Sequence, residues 1–328
     1  MKIYLADSFR NHSKIDFISQ EVGLYQEPIR TKPFKEAKSI DLADAILVPH
    51  DAYHFSKYPE YLEYLNKLSK SKLVIFSDRG DFPKRPLITN SIALRVAIDP
   101  YEKTANKIVI PYNIQYLSNL PKRKYQANPQ ISFMGYMPTI SPARILKSFR
   151  HSGAHPVIGN GAIVRRIAHK RLKTTNLNYK YTLRNTYGAL NLEDKNLSLQ
   201  RKEYLAMLSN SDIVLAPRGD ANQSARFFEI LSAGRIPLIP KSEIALPFSA
   251  SVELTKNLLP FGLIRDNLEI TIQEFWESLF SNERYIQLQD GIRDFYASHF
   301  RFENCIKSLF VLNTNEFIEL SQQSKIII

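Results

Sequence analysis

Cysteine is nearly missing from this chain of 328 residues, with Cys305 standing alone. One thiol forms no internal disulfide, so the sequence reads as that of a reducing compartment and not of a secreted scaffold. Long apolar runs are missing as well. No stretch approaches the about 20 residues of a membrane-crossing helix. The opening "MKIYLADSF" lacks the apolar core of a signal peptide and reads as a first strand. Together these absences predict a cytoplasmic protein. Neither a Walker A loop nor a Gly-x-Gly-x-x-Gly turn occurs. There is no Asp-x-Asp, Asp41 and Asp44 being three apart, and no tight His/Cys ligand set, so no bound metal is expected. Repeats and low-complexity tracts are absent. So are a recognition-helix motif and an RRM-type aromatic signature, which argues against a nucleic-acid partner.

What remains is the composition of a globular protein, 44% hydrophobic and 23% charged. The length suits two domains of roughly 150 residues each. Lysine and arginine number 44 against 32 aspartates and glutamates, a formal charge of +12. That excess suits anionic partners: nucleotide phosphates, nucleic acid, acidic glycans or a membrane face.

Short apolar runs recur along the first part: "KIYLA" (2–6), "AILVP" (45–49), "KLVIF" (72–76), "ALRVAI" (93–98) and "KIVIP" (107–111). β-Branched residues and flanking Asp, Pro or Ser mark them as buried parallel strands. Between them "YPEYLEYLNKLSK" (58–70) sets Tyr61, Leu62, Tyr64, Leu65 and Leu68 on one helical face. The polar stretch 119–130, with two prolines, reads as a linker. Beyond it come a strand at 131–136, a helix at 141–150, a helix at 201–210, a strand at 212–216, a helix at 225–233, a strand at 236–239 and mostly helix from about 271. Alternating strands and helices in both halves predict two doubly wound α/β domains facing a cleft. The boundaries are 1–125 and 126–328.

The segment "SDIVLAPRGDANQSARFFEILSAGRIPLIP" (211–240) concentrates polar residues where strand 212–216 hands over to helix 225–233. In a doubly wound sheet ligands bind at that carboxyl edge. The free N–H groups and positive dipole of the helix start favour a phosphate there, and Ser224 can add a hydrogen bond. The strand delivers the chain to Arg218 and Gly219 at this edge, and Arg218 and Arg226, in the helix, can clamp a diphosphate. Glu229 lies roughly 6–8 Å further along the helix, a depth that matches a ribose behind a diphosphate. A plainer reading stands beside this one: Arg226 and Glu229 as a surface ion pair three residues apart, and Ser224 as an ordinary helix cap.

The segment resembles the exostosin-type glycosyltransferase family. "SDIVLAPRG", "SARFFE" and "GRIPLI" match that family's pattern in order and spacing, "LPF" (246–248) follows, and "DLADAILVPHDAY" (41–53) is a weaker upstream echo. Two departures are Arg235, at a position often cysteine, and the lack of a membrane anchor, which favours a bacterial-type soluble member. The resemblance implies a GT-B architecture of two Rossmann-like domains. The C-terminal domain would bind a nucleotide sugar, a UDP-sugar in the first instance, and the N-terminal domain a glycan or lipid-linked glycan acceptor. The terminal helix of such folds often crosses back onto the N-terminal domain. Transfer would be inverting and metal-independent. Ser224 and Arg226 would serve the diphosphate and Glu229 the ribose.

An inverting transfer needs a base. The loop "VPHDAYH" (48–54) leaves a strand at its carboxyl end and holds His50, Asp51 and His54, with Asp51 or His50 the leading candidate; Asp78 and Asp81 come next. The basic run "IVRRIAHKRLKTT" (163–175) reads as a solvated helix face, with docking to an anionic acceptor or to acidic lipid headgroups, a peripheral membrane contact, as its functional alternative. The competing assignment for the whole chain is a basic nucleic-acid- or glycan-binding protein without catalysis.

Overall fold

A computed structural model describes residues 1–6, 34–52, 59–78, 88–96, 106–137, 142, 160–184, 194–219, 222–242, 244–247, 259–263, 266–323 and 326–327. In chain order the elements are β1 (Lys2–Leu5), β2 (Lys35–Glu36), β3 (Ala45–Asp51), α1 (Pro59–Ser69), β4 (Leu73–Asp78), β5 (Ser91–Arg95), β6 (Lys107–Val109) and β7 (Ile131–Tyr136). Then follow α2 (Gly161–Lys173), β8 (Tyr179–Arg184), α3 (Asp194–Ser209), β9 (Ile213–Leu215), α4 (Ala225–Ser232), β10 (Ile236–Pro240) and β11 (Leu259–Phe261). The carboxyl-terminal part is helical: α5 (Leu268–Leu279), α6 (Asn282–Phe295), α7 (Phe302–Val311) and α8 (Thr314–Gln323). The helix expected at 141–150 falls outside the described residues except for residue 142. No helix among the described residues is long and apolar enough to cross a membrane.

The chain divides into two compact units, one of residues 1–112, 245–249 and 300–326, the other of residues 113–244, 250–299 and 327–328. Each is built on a parallel sheet. In the first the strand order is β2-β1-β3-β4-β5-β6. Its strands read as unbroken apolar runs because both faces are covered. Leu47, Ile75, Leu94 and Ile108 pack on one side with Phe302, Ile306, Leu309 and Phe317 of α7 and α8. Their neighbours Ile46, Val74, Phe76 and Ala93 pack on the other with Tyr61 and Leu65 of α1. Alternation by two thus feeds two core layers from one run. The sheet reverses direction between β1 and β3, so the carboxyl end of β3, with His50 and Asp51, lies at its switch point.

The second unit's sheet runs β11-β10-β9-β7-β8, also parallel throughout. Its reversal falls between β7 and β9, the strand that opens the 211–240 segment. Ile213, Val214, Leu215, Ile236, Leu238 and Phe133 are fully buried. α4 presents Phe227, Phe228, Ile230 and Leu231 to this core and packs on β10 and α6. Gly234, at φ 67°, ends α4 in the left-handed region, and a side chain there would collide with Arg293 and the Gln289 carbonyl.

The amino edge of this sheet is closed by a buried polar network. Asp212, fully buried, accepts from Arg123 Nε and Nη2 at 2.9 and 3.1 Å, from the Gln130 N–H at 2.8 Å and from the Tyr285 hydroxyl at 2.9 Å. Arg235, equally buried, donates to the carbonyls of Leu208 and Pro121 and to Gln289 Oε1. Burial pushes its pKa down to about 10, so it stays charged at neutral pH. Gln289 also accepts from the Arg123 N–H and donates to the Arg123 carbonyl. The polar stretch 119–130 is thereby tied into this unit along its length. Trp276 adds a bond to the Gln126 carbonyl and stacks on Tyr125.

Candidate functional site

The carboxyl edge at the β7/β9 reversal is assembled by two loops and two helix starts. α2 begins at Gly161, whose missing Cβ lets the chain touch the loop after β9: a methyl there would lie 2.0 Å from the Gly219 carbonyl oxygen. Asn160 closes this helix start, its side chain accepting from the Ala162 and Ile163 N–H groups at 3.0 and 3.2 Å. Arg165 reaches inward from α2 to the Arg218 carbonyl at 3.3 Å and to the Tyr136 carbonyl. The basic run is therefore not a uniform solvated face. Arg165 is 7% exposed, and Arg171 donates to the carbonyls of Gly262 and Asp266.

The second helix start is different. Ser224 stands at the cap of α4 in extended backbone, φ −142° and ψ 129°, yet its side chain makes no capping hydrogen bond. The Phe227 N–H donates to the Ser224 carbonyl at 3.0 Å, but the Ser224 side chain does not cap the first turn of α4. The loop is held by Gly219, whose N–H donates to the Gln223 carbonyl at 3.3 Å. Arg218 is 4% exposed and donates through Nη1 to the Ser242 carbonyl at 3.1 Å, joining the loops after β9 and β10.

Arg226 projects from the first turn of α4 toward the end of β7. Its guanidinium carbon lies 5.2 Å from the Phe133 ring centre and 5.8 Å from that of Tyr204. Beneath it is Gly135, where a Cβ would come within 2.7 Å of Arg226 Nη2. A glycine inside a strand marks such a close approach, and here an arginine head fills the space. Among the described residues no carboxylate or carbonyl accepts from Arg226, and its Nε is buried without a partner. Two aromatic faces and a glycine fix this cation, and no described residue forms an ion pair with it.

Glu229 follows one turn along α4, its side chain 16% exposed. Its ionic partner is not Arg226. Arg201 Nη1, from α3, donates to Glu229 Oε1 at 2.5 Å, and the Arg201 guanidinium also lies 5.5 Å from the Tyr204 ring. Burial first, and then the neighbouring Glu229, push the Tyr204 phenol well above its ordinary pKa, so it stays neutral. Arg201, Tyr204, Phe133 and Gly135 are parts of this cluster that the sequence reading did not single out.

On the first unit's sheet, the pairing of β3 with β4 shifts register between Val48 and Asp51, where Pro49 contributes no N–H. The backbones of His50 and Asp51 complete β3, while their side chains, and the whole of His54 and Asp81, fall outside the described residues. Asp78 is committed elsewhere: its carboxylate pairs with Arg95 Nε at 3.2 Å, both buried, between registered positions of β4 and β5. Among the described residues no group of three or more His, Cys, Asp or Glu side chains is placed to hold a metal ion.

No family model matches the chain. It is 30% identical over 101 residues to the exostosin-1 homolog of Caenorhabditis elegans, a match covering 31% of this chain and 25% of that protein. The chain thus matches about a quarter of the length of this curated relative. Among solved structures, TarM aligns over 80% of this chain and 57% of its own, at 13% identity and a TM-score of 0.39. The glycotransferase of kitacinnamycin aligns over 83% and 76%, at 10% identity and 0.39. The catalytic domain of starch synthase IV from Arabidopsis thaliana aligns over 86% and 56%, at 11% identity and 0.31.

Proposed function

We propose that this chain is an inverting glycosyltransferase of the GT-B type. In this reading it moves a sugar from a nucleotide-diphosphate sugar, a UDP-sugar in the first instance, to a glycan or lipid-linked glycan acceptor in polysaccharide synthesis. The observation that carries the reading is a pre-positioned Arg226, without an ion-pair partner among the described residues, beside an α4 start that the Ser224 side chain does not cap, at a sheet reversal. The exostosin-like motifs "SDIVLAPRG", "SARFFE" and "GRIPLI" surround it.

In the proposed reaction the acceptor oxygen attacks the anomeric carbon as the bond from that carbon to the diphosphate oxygen breaks. The bonding pair leaves with the nucleoside diphosphate, and the acceptor proton goes to a base. Charge growing on the diphosphate meets the α4 N–H groups, the Ser224 hydroxyl and Arg226. Those groups act without a bound metal. Glu229 accepts from the ribose hydroxyls, its carboxylate held in place by Arg201. Arg218 and Gly219 shape the loop that receives the phosphates. The base is Asp51 or His50, at the end of β3 where the register shift re-aims the chain.

The test is a transfer assay with a panel of UDP- and GDP-sugars in excess EDTA, run on the wild type and on Asp51→Asn and His50→Gln. Transfer should survive the chelator, and one replacement should lower turnover about a hundredfold or more while donor binding persists. Loss of activity restored by a divalent ion would overturn the metal-free step. Near-normal turnover in both variants would move the base elsewhere.

A further inference from the structure

Glu229 has two arginines near it and is bound to the less obvious one. Arg226 precedes it by three residues on α4, the spacing at which helical side chains meet. The Glu229 carboxylate nevertheless pairs with Arg201, brought in from α3 and 28 residues away in sequence. Arg201 is fixed for that task at three points. Nη1 donates to Glu229 Oε1 at 2.5 Å, Nη2 donates to Gln115 Oε1 at 3.3 Å, and the guanidinium carbon lies 5.5 Å from the Tyr204 ring centre. Arg226 meets the same ring at 5.8 Å, so one buried tyrosine is bordered by both cations.

Stability does not account for this arrangement. The Arg201 side chain is 34% exposed, and an ion pair so open to solvent contributes little to a fold. What the pair does change is the charge presented at the start of α4. A carboxylate three residues from Arg226 is the natural acceptor for its fork, and an arginine so engaged has no fork to offer an anion. With Arg201 on Glu229, no described residue forms an ion pair with Arg226. The three side chains then carry a net positive charge, and it resides on Arg226.

We propose that Arg201 is a positioning residue that partitions the charges of this site: by holding Glu229 it keeps Arg226 open for a diphosphate. Without Arg201 the carboxylate turns to Arg226, and the two neutralise each other within α4. Arg201 thereby serves both parts of a nucleoside diphosphate. It fixes the carboxylate that accepts from the ribose, and it protects the cation that takes the phosphates. The inference rests on the nucleotide-sugar reading of this site.

The test is a calorimetric titration of the full chain with UDP and with pyrophosphate, which carries phosphates and no ribose. Arg201→Ala should weaken both ligands, pyrophosphate by about tenfold or more. Removing the carboxylate as well, in Arg201→Ala/Glu229→Ala, should return most of the pyrophosphate affinity, because no carboxylate then competes for Arg226. A residue that merely props the fold would show further loss in the double variant. Arg201→Lys, which keeps a charge on Glu229, should bind pyrophosphate within severalfold of the wild type. Circular dichroism checks that each variant is folded. Undiminished pyrophosphate binding in Arg201→Ala would overturn the charge partition, as would a double variant no tighter than that single one. Either result beside wild-type binding of UDP leaves the nucleotide-sugar reading standing. A wild type that binds neither ligand overturns both.

Discussion

At the amino end of β9, Asp212 accepts four hydrogen bonds; past its carboxyl end, the Ser224 hydroxyl makes no capping bond and Arg226 finds no acceptor among the described residues. The two edges of one sheet hold similar side chains under opposite conditions. At the amino edge Arg123, Arg235, Asp212, Tyr285 and Gln289 satisfy one another, and the hydrogen-bond raising of the Arg123 pKa by Asp212 is part of that closure. A buried network of this kind rigidifies only when every member is satisfied. At the carboxyl edge, rings and a glycine hold an arginine that pairs with no carboxylate among the described residues. The first arrangement is what a scaffold requires. The second is what a site for an anion requires, because the missing charge is left for the ligand to supply.

Breaking the closed edge should have the largest effect. Asp212→Asn removes the charge from a fully buried carboxylate and leaves Arg123 and Arg235 in a buried, under-neutralised pocket. Stability should fall by about 3–5 kcal/mol, measured by denaturant unfolding. A loss below about 1 kcal/mol would mean the network is ornamental to the fold.

At the open edge the loss should appear in chemistry instead. Arg226→Lys keeps a charge but gives up the planar fork that stacks between Phe133 and Tyr204. Turnover should drop by about a hundredfold, in the range for losing one donor to a developing oxyanion, with the unfolding midpoint barely moved. Wild-type turnover in this variant would return Arg226 to the surface.

The smallest effect sharpens the comparison most, because it sets one helix start against the other. Asn160→Ala deletes the cap that closes α2 and should cost about 1 kcal/mol of stability. Ser224→Ala deletes a hydroxyl that closes nothing and should cost a few tenths of a kcal/mol at most. Equal costs from the two changes would show that Ser224 caps its helix after all.

The strands were legible because burial on both faces writes them as apolar runs: 131–136 coincides with β7, and the runs at 45–49 and 72–76 begin β3 and most of β4. Where that cause fails, so does the signal. β8 went unread because it is largely exposed and lacks the unbroken apolar run of the buried strands, although Tyr179, Tyr181 and Leu183 alternate with Lys180, Thr182 and Arg184. The run 93–98 overshot β5, which ends at Arg95, because Val96 is buried beyond the hydrogen-bonded ladder. α3 starts at Asp194, seven residues ahead of the apolar helical pattern, in a polar first turn. Around the start of α4, Ser224, Arg226 and Glu229 stand close in sequence and form one local motif. Arg201 stands outside it, because 28 residues separate it from Glu229 and no local spacing announces the pair. The stretch 119–130 looked like a linker for the same reason: its polar groups bind partners near 212 and between 276 and 289, far along the sequence.

The most direct test is a calorimetric titration of UDP into the wild type, Arg226→Ala and Glu229→Ala, with the melting of all three recorded. The account predicts measurable binding to the wild type and losses of about 1–3 kcal/mol in each variant, the range for hydrogen bonds to charged groups, with melting essentially unchanged for Arg226→Ala. Equal affinity in all three folded proteins would contradict it.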